Sequence, residues 1–240
     1  MFPRIKYETC DWSRSAEDLM LIPKNKRRKI TPTYRVAVSA ICRVHDTLLS
    51  NSDEKLGLRE ERVGVGGTPF SPRGALFIPP HASQVKKHLQ NLIALGERGD
   101  VISIIKTALF HAQFETIHPF TDDNGRTGRA LLHRVLSRDE LLLYSTLPIS
   151  AGILHNTDSY RAALDSYHEG EIEPIVTSLT DVLELAVVVG TRISSDVDEI
   201  LNRWNDVIAE RKESSSHRLS ALLVEQPVIN VAVECQFKCN

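Results

Sequence analysis

The sequence predicts an all-α protein, a helical bundle interrupted by one β-hairpin and extended by further C-terminal helices. Two observations carry that expectation. From Ser83 onward apolar residues recur at helical spacing almost to the end of the chain. The one stretch of different texture, residues 63–80, holds a Gly- and Pro-rich middle between two short β-prone ends. With 240 residues, 42% hydrophobic and 25% charged, the chain is long enough to bury a core in one globular domain with a helical appendage.

The elements follow in order. Residues 1–35 are polar, and the basic run Lys24-Asn-Lys-Arg-Arg-Lys29 reads as a solvated face. Arg35 to Leu49 places Val38, Ile41, Cys42, His45, Leu48 and Leu49 at helical spacing. Ser83 is a candidate cap for a helix that buries Val85, Leu89, Leu92 and Leu95 and ends at Gly96. Val101 to Ile117 is apolar almost all round, which predicts a central helix buried on every side. Gly125 to Ser137 is the next helix, with Asn124 as its expected cap. Helices near Pro148–His155, Asp158–His168 and Pro174–Val189 follow, then an amphipathic one carrying Val197, Leu201, Trp204 and Ile208.

Composition narrows the function classes. Lys and Arg total 29 against 31 Asp and Glu, so no overall positive field draws nucleic acid or anionic lipid, and an anion site must be local. Cys10, Cys42, Cys235 and Cys239 are too scattered for a disulfide framework and read as incidental thiols of a reducing cytoplasm. The N-terminus lacks an apolar signal core, and no apolar run approaches the about 20 residues that span a bilayer, so a soluble cytoplasmic protein is expected.

Chemistry concentrates between the two strongest helices, in His118-Pro-Phe-Thr-Asp-Asp-Asn-Gly-Arg-Thr-Gly-Arg129. Pro119 disfavours helical geometry at the residue before it, so the central helix should stop at His118 and leave the imidazole at a helix exit. Thr121, Asp122, Asp123 and Asn124 are turn formers and Gly125 tolerates any backbone angle, so the next helix opens there with unpaired N–H groups directed into the loop. Such a terminus is a ready anion site. Arg126 and Arg129 stand on one face of its first turn, where two cations oppose the positive end of the helix dipole at about 1 kcal/mol or less, a conflict that a phosphate chain would relieve. Asp122 adds a hard oxygen donor suited to Mg²⁺ held by one carboxylate and substrate phosphates.

These residues resemble the signature of the Fic (Fic/Doc) family, His-Pro-Phe-x-(Asp/Glu)-Gly-Asn-Gly-Arg-x-x-Arg, and the resemblance extends over residues 60–190. It implies a Fic-type helical bundle whose hairpin, the flap, overhangs the active site, and an enzyme that transfers AMP from ATP to a protein hydroxyl. By position, His118 would deprotonate the target Ser, Thr or Tyr and Asp122 would bind Mg²⁺. Asn124 and Gly125 would line the anion hole, and Arg126, Gly128 and Arg129 would complete the ATP site, the two arginines on the β- and γ-phosphates. Phe120 would pack the loop down. Asp123 departs from the pattern, standing where Gly is usual; Asp tolerates the left-handed conformation better than most residues, but adds a carboxylate beside the triphosphate. Gly64 stands where relatives often carry a bulky aromatic, and Gly125 where a phosphorylating branch would carry Lys.

The expected organisation is an N-terminal helical region at 1–59, a Fic domain at 60–190, C-terminal helices at 191–226 and a tail at 227–240 resembling the start of a winged-helix module. A target protein would dock along the flap, residues 63–80, by main-chain pairing. The inhibitory motif of many relatives, (Ser/Thr)-x-x-x-Glu-(Gly/Asn), has only near matches, at Ser13–Glu17 and Ser50–Glu54, which implies an inhibitory partner or a shortened copy. Two further readings stay open: a truncated, weakly active nucleotide-binding regulator, and transfer of another phosphate-linked group. A homodimer is compatible with all of them, and a DNA-binding role for this chain alone is not expected.

Overall fold

The structure is a computed structural model that describes residues 38–49, 57–66, 74–142 and 146–208, together with Ser216, Leu219, Ser220, Leu223 and Val224. The basic run at 24–29, both near matches to the inhibitory motif and the winged-helix-like tail lie outside the described residues.

The helices are α1 (Val38–Leu48), α2 (Ala82–Gly96), α3 (Ser103–Ile117), α4 (Asn124–Arg138), α5 (Ile149–His155), α6 (Thr157–Glu169) and α7 (Glu173–Val207). As its all-round apolar composition requires, α3 is the axis on which the others pack. One side, with Phe110, Phe114 and Ile117, meets Ile41 and Val44 of α1, Val85, Leu89 and Leu92 of α2, and Leu131 and Val135 of α4. Another side carries the small residues Ala108 and Ala112. Ala108 packs with Leu132 and Leu136 of α4, Ile149 and Ile153 of α5, and Leu179, Val182 and Leu183 of α7. Ala112 packs with Ala163 of α6 and Ile175 of α7. Inside this core Lys106 donates to Asp139 and to the Arg98 carbonyl, each at 2.8 Å, which joins the start of α3 to the end of α4 and satisfies a buried cation.

Three sequence expectations change. The cap of α2 is His81, whose Nδ1 accepts the Ser83 N–H at 3.3 Å, so Ser83 sits inside the first turn. The helices expected at 174–189 and around 197–208 are one continuous helix, α7, because Gly190 costs only about 1 kcal/mol inside a helix and no proline follows it to break the ladder. That continuity makes α7, by length and composition alone, apolar enough to cross a bilayer, contrary to the expectation that no run approached this; Ile175, Leu179, Val182, Leu183 and Ala186 are nonetheless buried among the other helices.

Of the hairpin, the described residues show one antiparallel bridge, between Val65 and Phe77. Val65 N–H donates to Phe77 O at 2.9 Å and receives in return the N–H groups of Leu76 (2.9 Å) and Phe77 (3.2 Å) on its carbonyl. Residues 67–73, the expected tip, are outside the described set. Phe77 stacks on the His168 ring of α6 with centroids 3.8 Å apart, so this arm is fixed to the bundle. Leu76 and Ile78, on the alternate side, are exposed.

Contacts divide the chain into two compact units, Met1–Ala186 and Val187–Asn240. Every motif residue lies in the first.

Candidate active site

The motif lies between the end of α3 and the start of α4, and both helix ends are set by non-glycine residues in the left-handed region. His118 caps α3 at φ 49°, ψ 62°, its N–H still reaching Phe114 O at 3.0 Å. Pro119 disfavours a right-handed continuation at His118, and the left-handed backbone of a non-glycine residue there is a strained conformation. Asp123 is the N-cap of α4 at φ 57°, ψ 23°, as its tolerance for that region predicts.

His118 is half-buried. Its Nδ1 is 3.4 Å from the Glu115 carbonyl oxygen, which can only accept, so the ring proton is assigned to Nδ1 and Nε2 keeps its lone pair. Burial pushes the imidazole pKa down to about 4; the Glu115 carbonyl raises it, the Arg59 charge lowers it and Asp122 raises it. The ring is therefore neutral at pH 7.

The loop is braced from within. Asn124, expected to cap α4, is instead its first residue and is buried. Its Oδ1 accepts Phe120 N–H at 2.9 Å and its Nδ2 donates to Phe120 O at 3.0 Å, a ring of two bonds that closes residues 120–124. The first intrahelical bond of α4 runs from Thr127 N–H to Asp123 O at 3.1 Å, so the amides of Asn124 and Gly125 belong to the turn a helix leaves for outside partners.

Two bracing residues had not been assigned to the site from the sequence. His45 of α1 stacks flat on Phe120, centroids 3.8 Å apart and planes within 7°, and its Nε2 lies 3.3 Å from the Asp122 carbonyl. Arg59 is buried, and its guanidinium gives hydrogen bonds to His118 O (2.7 Å), Ile117 O (3.3 Å), Glu61 O (3.0 Å) and Pro80 O (2.6 Å). A cation on the last carbonyls of α3 satisfies both their bonding and the negative end of the helix dipole. Burial lowers its pKa to about 10, which leaves it charged at neutral pH.

The remaining motif residues divide by environment. Arg126 is exposed, and its Nε and Nη2 make a bidentate ion pair with the two carboxylate oxygens of Asp123. Arg129 turns back along its helix, Nη1 only 3.2 Å from where a Cβ on Gly125 would stand, and its charge acts on the buried Glu115 and His111. Gly128 faces α3: a Cβ there would meet Glu115 Oε1 at 2.5 Å and Phe114 Cδ1 at 3.0 Å, so the two helices approach closely only because this side chain is absent. Asp122 is exposed, with Oδ1 accepting Asp123 N–H at 2.7 Å. No cluster of three metal-ligating side chains occurs among the described residues, so a metal here would need donors from its substrate. One exposed carboxylate beside a helix N-terminus fits Mg²⁺ on that condition, since this ion commonly takes one or two carboxylates plus phosphates.

The chain is similar to known proteins. Residues 35–136 match the family model described as Fic/DOC family. The chain is 30% identical over 137 residues to a probable protein adenylyltransferase of Aquifex aeolicus, an alignment covering 57% of this chain and 38% of that protein. It is 26% identical over 191 residues to the protein adenylyltransferase fic-1 of Caenorhabditis elegans, covering 78% of this chain and 35% of the relative. A Fic family protein from Desulfovibrio desulfuricans superposes with a TM-score of 0.53 at 24% identity, over 76% of this chain and 55% of that one. Over residues 35–136 the chain is thus similar to the Fic/DOC family. It spans little more than a third of the length of the two curated relatives.

Proposed function

We propose that this chain is a protein adenylyltransferase, moving AMP from ATP to a side-chain hydroxyl of another protein. The observation that carries the reading is a neutral imidazole at the end of one helix, joined by a braced loop to the open amide terminus of the next, with Arg126 in that helix's first turn and Arg129 in its second. The adenylyltransferase names of the relatives support the same chemistry.

His118 Nε2 takes the hydroxyl proton as the hydroxyl oxygen bonds to the α-phosphorus, and the bond from that phosphorus to the bridging oxygen breaks, releasing pyrophosphate. The amides at the start of α4, Arg126 and Arg129 hold the phosphates, so positioning and charge stabilisation dominate. Asp122 would hold Mg²⁺, which supplies charge neutralisation on the departing phosphates. The target lies along the edge of residues 74–80, where Leu76 and Ile78 offer exposed apolar contacts beside the Val65–Phe77 bridge.

The test is incubation with isotopically labelled ATP, Mg²⁺ and cell lysate, followed by mass analysis of modified proteins. AMP adducts from the native chain and none from His118→Ala support the proposal. Undiminished label transfer by the variant removes His118 from the role, and added phosphate in place of AMP replaces the reaction.

A further inference from the structure

The first motif arginine, Arg126, is already paired with a carboxylate of its own chain. An aspartate at a helix N-cap ordinarily turns its carboxylate onto the amides of the first turn. Asp123 makes no such bond; its left-handed backbone leaves the carboxylate on the Arg126 guanidinium, and both oxygens are engaged there. The Asp123 side chain is 12% exposed against 55% for Arg126, so the carboxylate lies at the base of the pair and the cation reaches outward. A carboxylate paired with a guanidinium through two parallel bonds uses the same donor fork that a phosphate would use.

We propose that Asp123 is a resident competitor for the phosphate that Arg126 would otherwise bind, and so sets how strongly the site depends on the length of the phosphate chain. This rests on the nucleotide reading above. A triphosphate that reaches Arg126 must displace a tethered anion already paired with it and accept a second negative charge beside Asp122. A monophosphate too short to reach Arg126 is unaffected. The native site therefore discriminates weakly between ATP and AMP.

The measurement is calorimetric titration of ATP and of AMP, at fixed Mg²⁺, into the full chain and into Asp123→Asn, Asp123→Gly, Arg126→Ala and the Asp123→Asn/Arg126→Ala pair. Asn and Gly both accept a left-handed backbone, so the loop is expected to fold in each; an unchanged thermal melt verifies it. The expected result is ATP binding about ten- to a hundredfold tighter in both Asp123 variants, with AMP unchanged and the gain abolished when Arg126 is absent. Unchanged ATP affinity in both variants overturns the competition, as does an equal gain with and without Arg126, which would mark a general charge effect. If no chain binds either nucleotide, the nucleotide reading itself falls and this inference with it.

Discussion

Arg59 Nε donates to the carbonyl oxygen of His118 at 2.7 Å, across 59 residues of sequence. The same guanidinium holds Glu61 O and Pro80 O, on either side of the Val65–Phe77 bridge, so one buried cation ties both arms of that segment to the residue expected to act as base.

Replacing Arg59 by Met should be costly. The carbonyls it serves are at a buried helix end, and bonds to a charged donor are each worth about 1.5–3 kcal/mol without being additive, so a total loss of roughly 2–4 kcal/mol is expected. Arg59→Lys should recover only part of it, because an ammonium does not reproduce the fork. Denaturant titration measures both. A loss below about 0.5 kcal/mol for the Met variant would show that water replaces the guanidinium freely.

The His118 pKa of about 4 fixes the pH behaviour expected of the base. In the unfolded chain the imidazole protonates from its ordinary 6.5, and in the folded chain only near 4, so its contribution to stability is complete above 6.5 and lost as pH falls toward 4. The acid limb of kcat/KM, which reports the free enzyme, should fall near 4. That of kcat should lie higher, since a bound polyanion favours the imidazolium. A kcat/KM limb at 6.5, matched by titration of the His118 ring at the same pH in NMR spectra, would contradict the burial argument.

Glu115 behaves in the opposite sense. Burial raises its pKa from 4.5 to about 7, partly opposed by Arg129, and its Oε1 has no hydrogen-bond partner. The folded state therefore holds this proton more tightly than the unfolded chain, and stability falls as pH rises from 4.5 through about 7. Glu115→Gln keeps the shape of the protonated acid, so it should be the more stable chain at pH 8, by roughly 3 kcal/mol at most, and equal to the native chain below pH 4.5. Melting temperatures across that range decide it.

Asn124→Ala removes both bonds to Phe120 and leaves the N–H and carbonyl of a buried residue unpaired, at about 2–4 kcal/mol. Nucleotide affinity should fall with it, because the loop no longer holds the amides of α4 in place. Asn124→Asp retains an acceptor for Phe120 N–H but faces Phe120 O with a second oxygen, so it should rescue little. Thermal melts and ATP titration of the two variants test both statements.

Much of the site was legible because it is contiguous. The stop at Pro119 and the spacing that puts Arg126 and Arg129 one turn apart are consequences of neighbours in the chain; the helix opens at Asn124, one residue before the expected Gly125, and the left-handed backbone of Asp123 is one its side chain tolerates. Arg59 was not legible. It sits in the charged run Leu58-Arg-Glu-Glu-Arg62, where nothing separates a buried guanidinium from a solvated one until the end of α3 is placed against it. His45 was legible only as a member of an apolar helical face, since its stacking partner is 75 residues onward in the sequence numbering, at Phe120. The distinction between Asn124 as cap and Asn124 as brace turns on the backbone angles of Asp123, which composition does not specify.

The sequence alone determined the helical class and the loop that joins the imidazole to the start of the next helix, because periodicity, proline and glycine act over a few residues at a time. Tertiary structure decided the protonation of that imidazole, the guanidinium beneath its carbonyl and the carboxylate on Arg126. Those depend on desolvation and on which distant groups share a low-dielectric interior, and neither exists until the chain has folded.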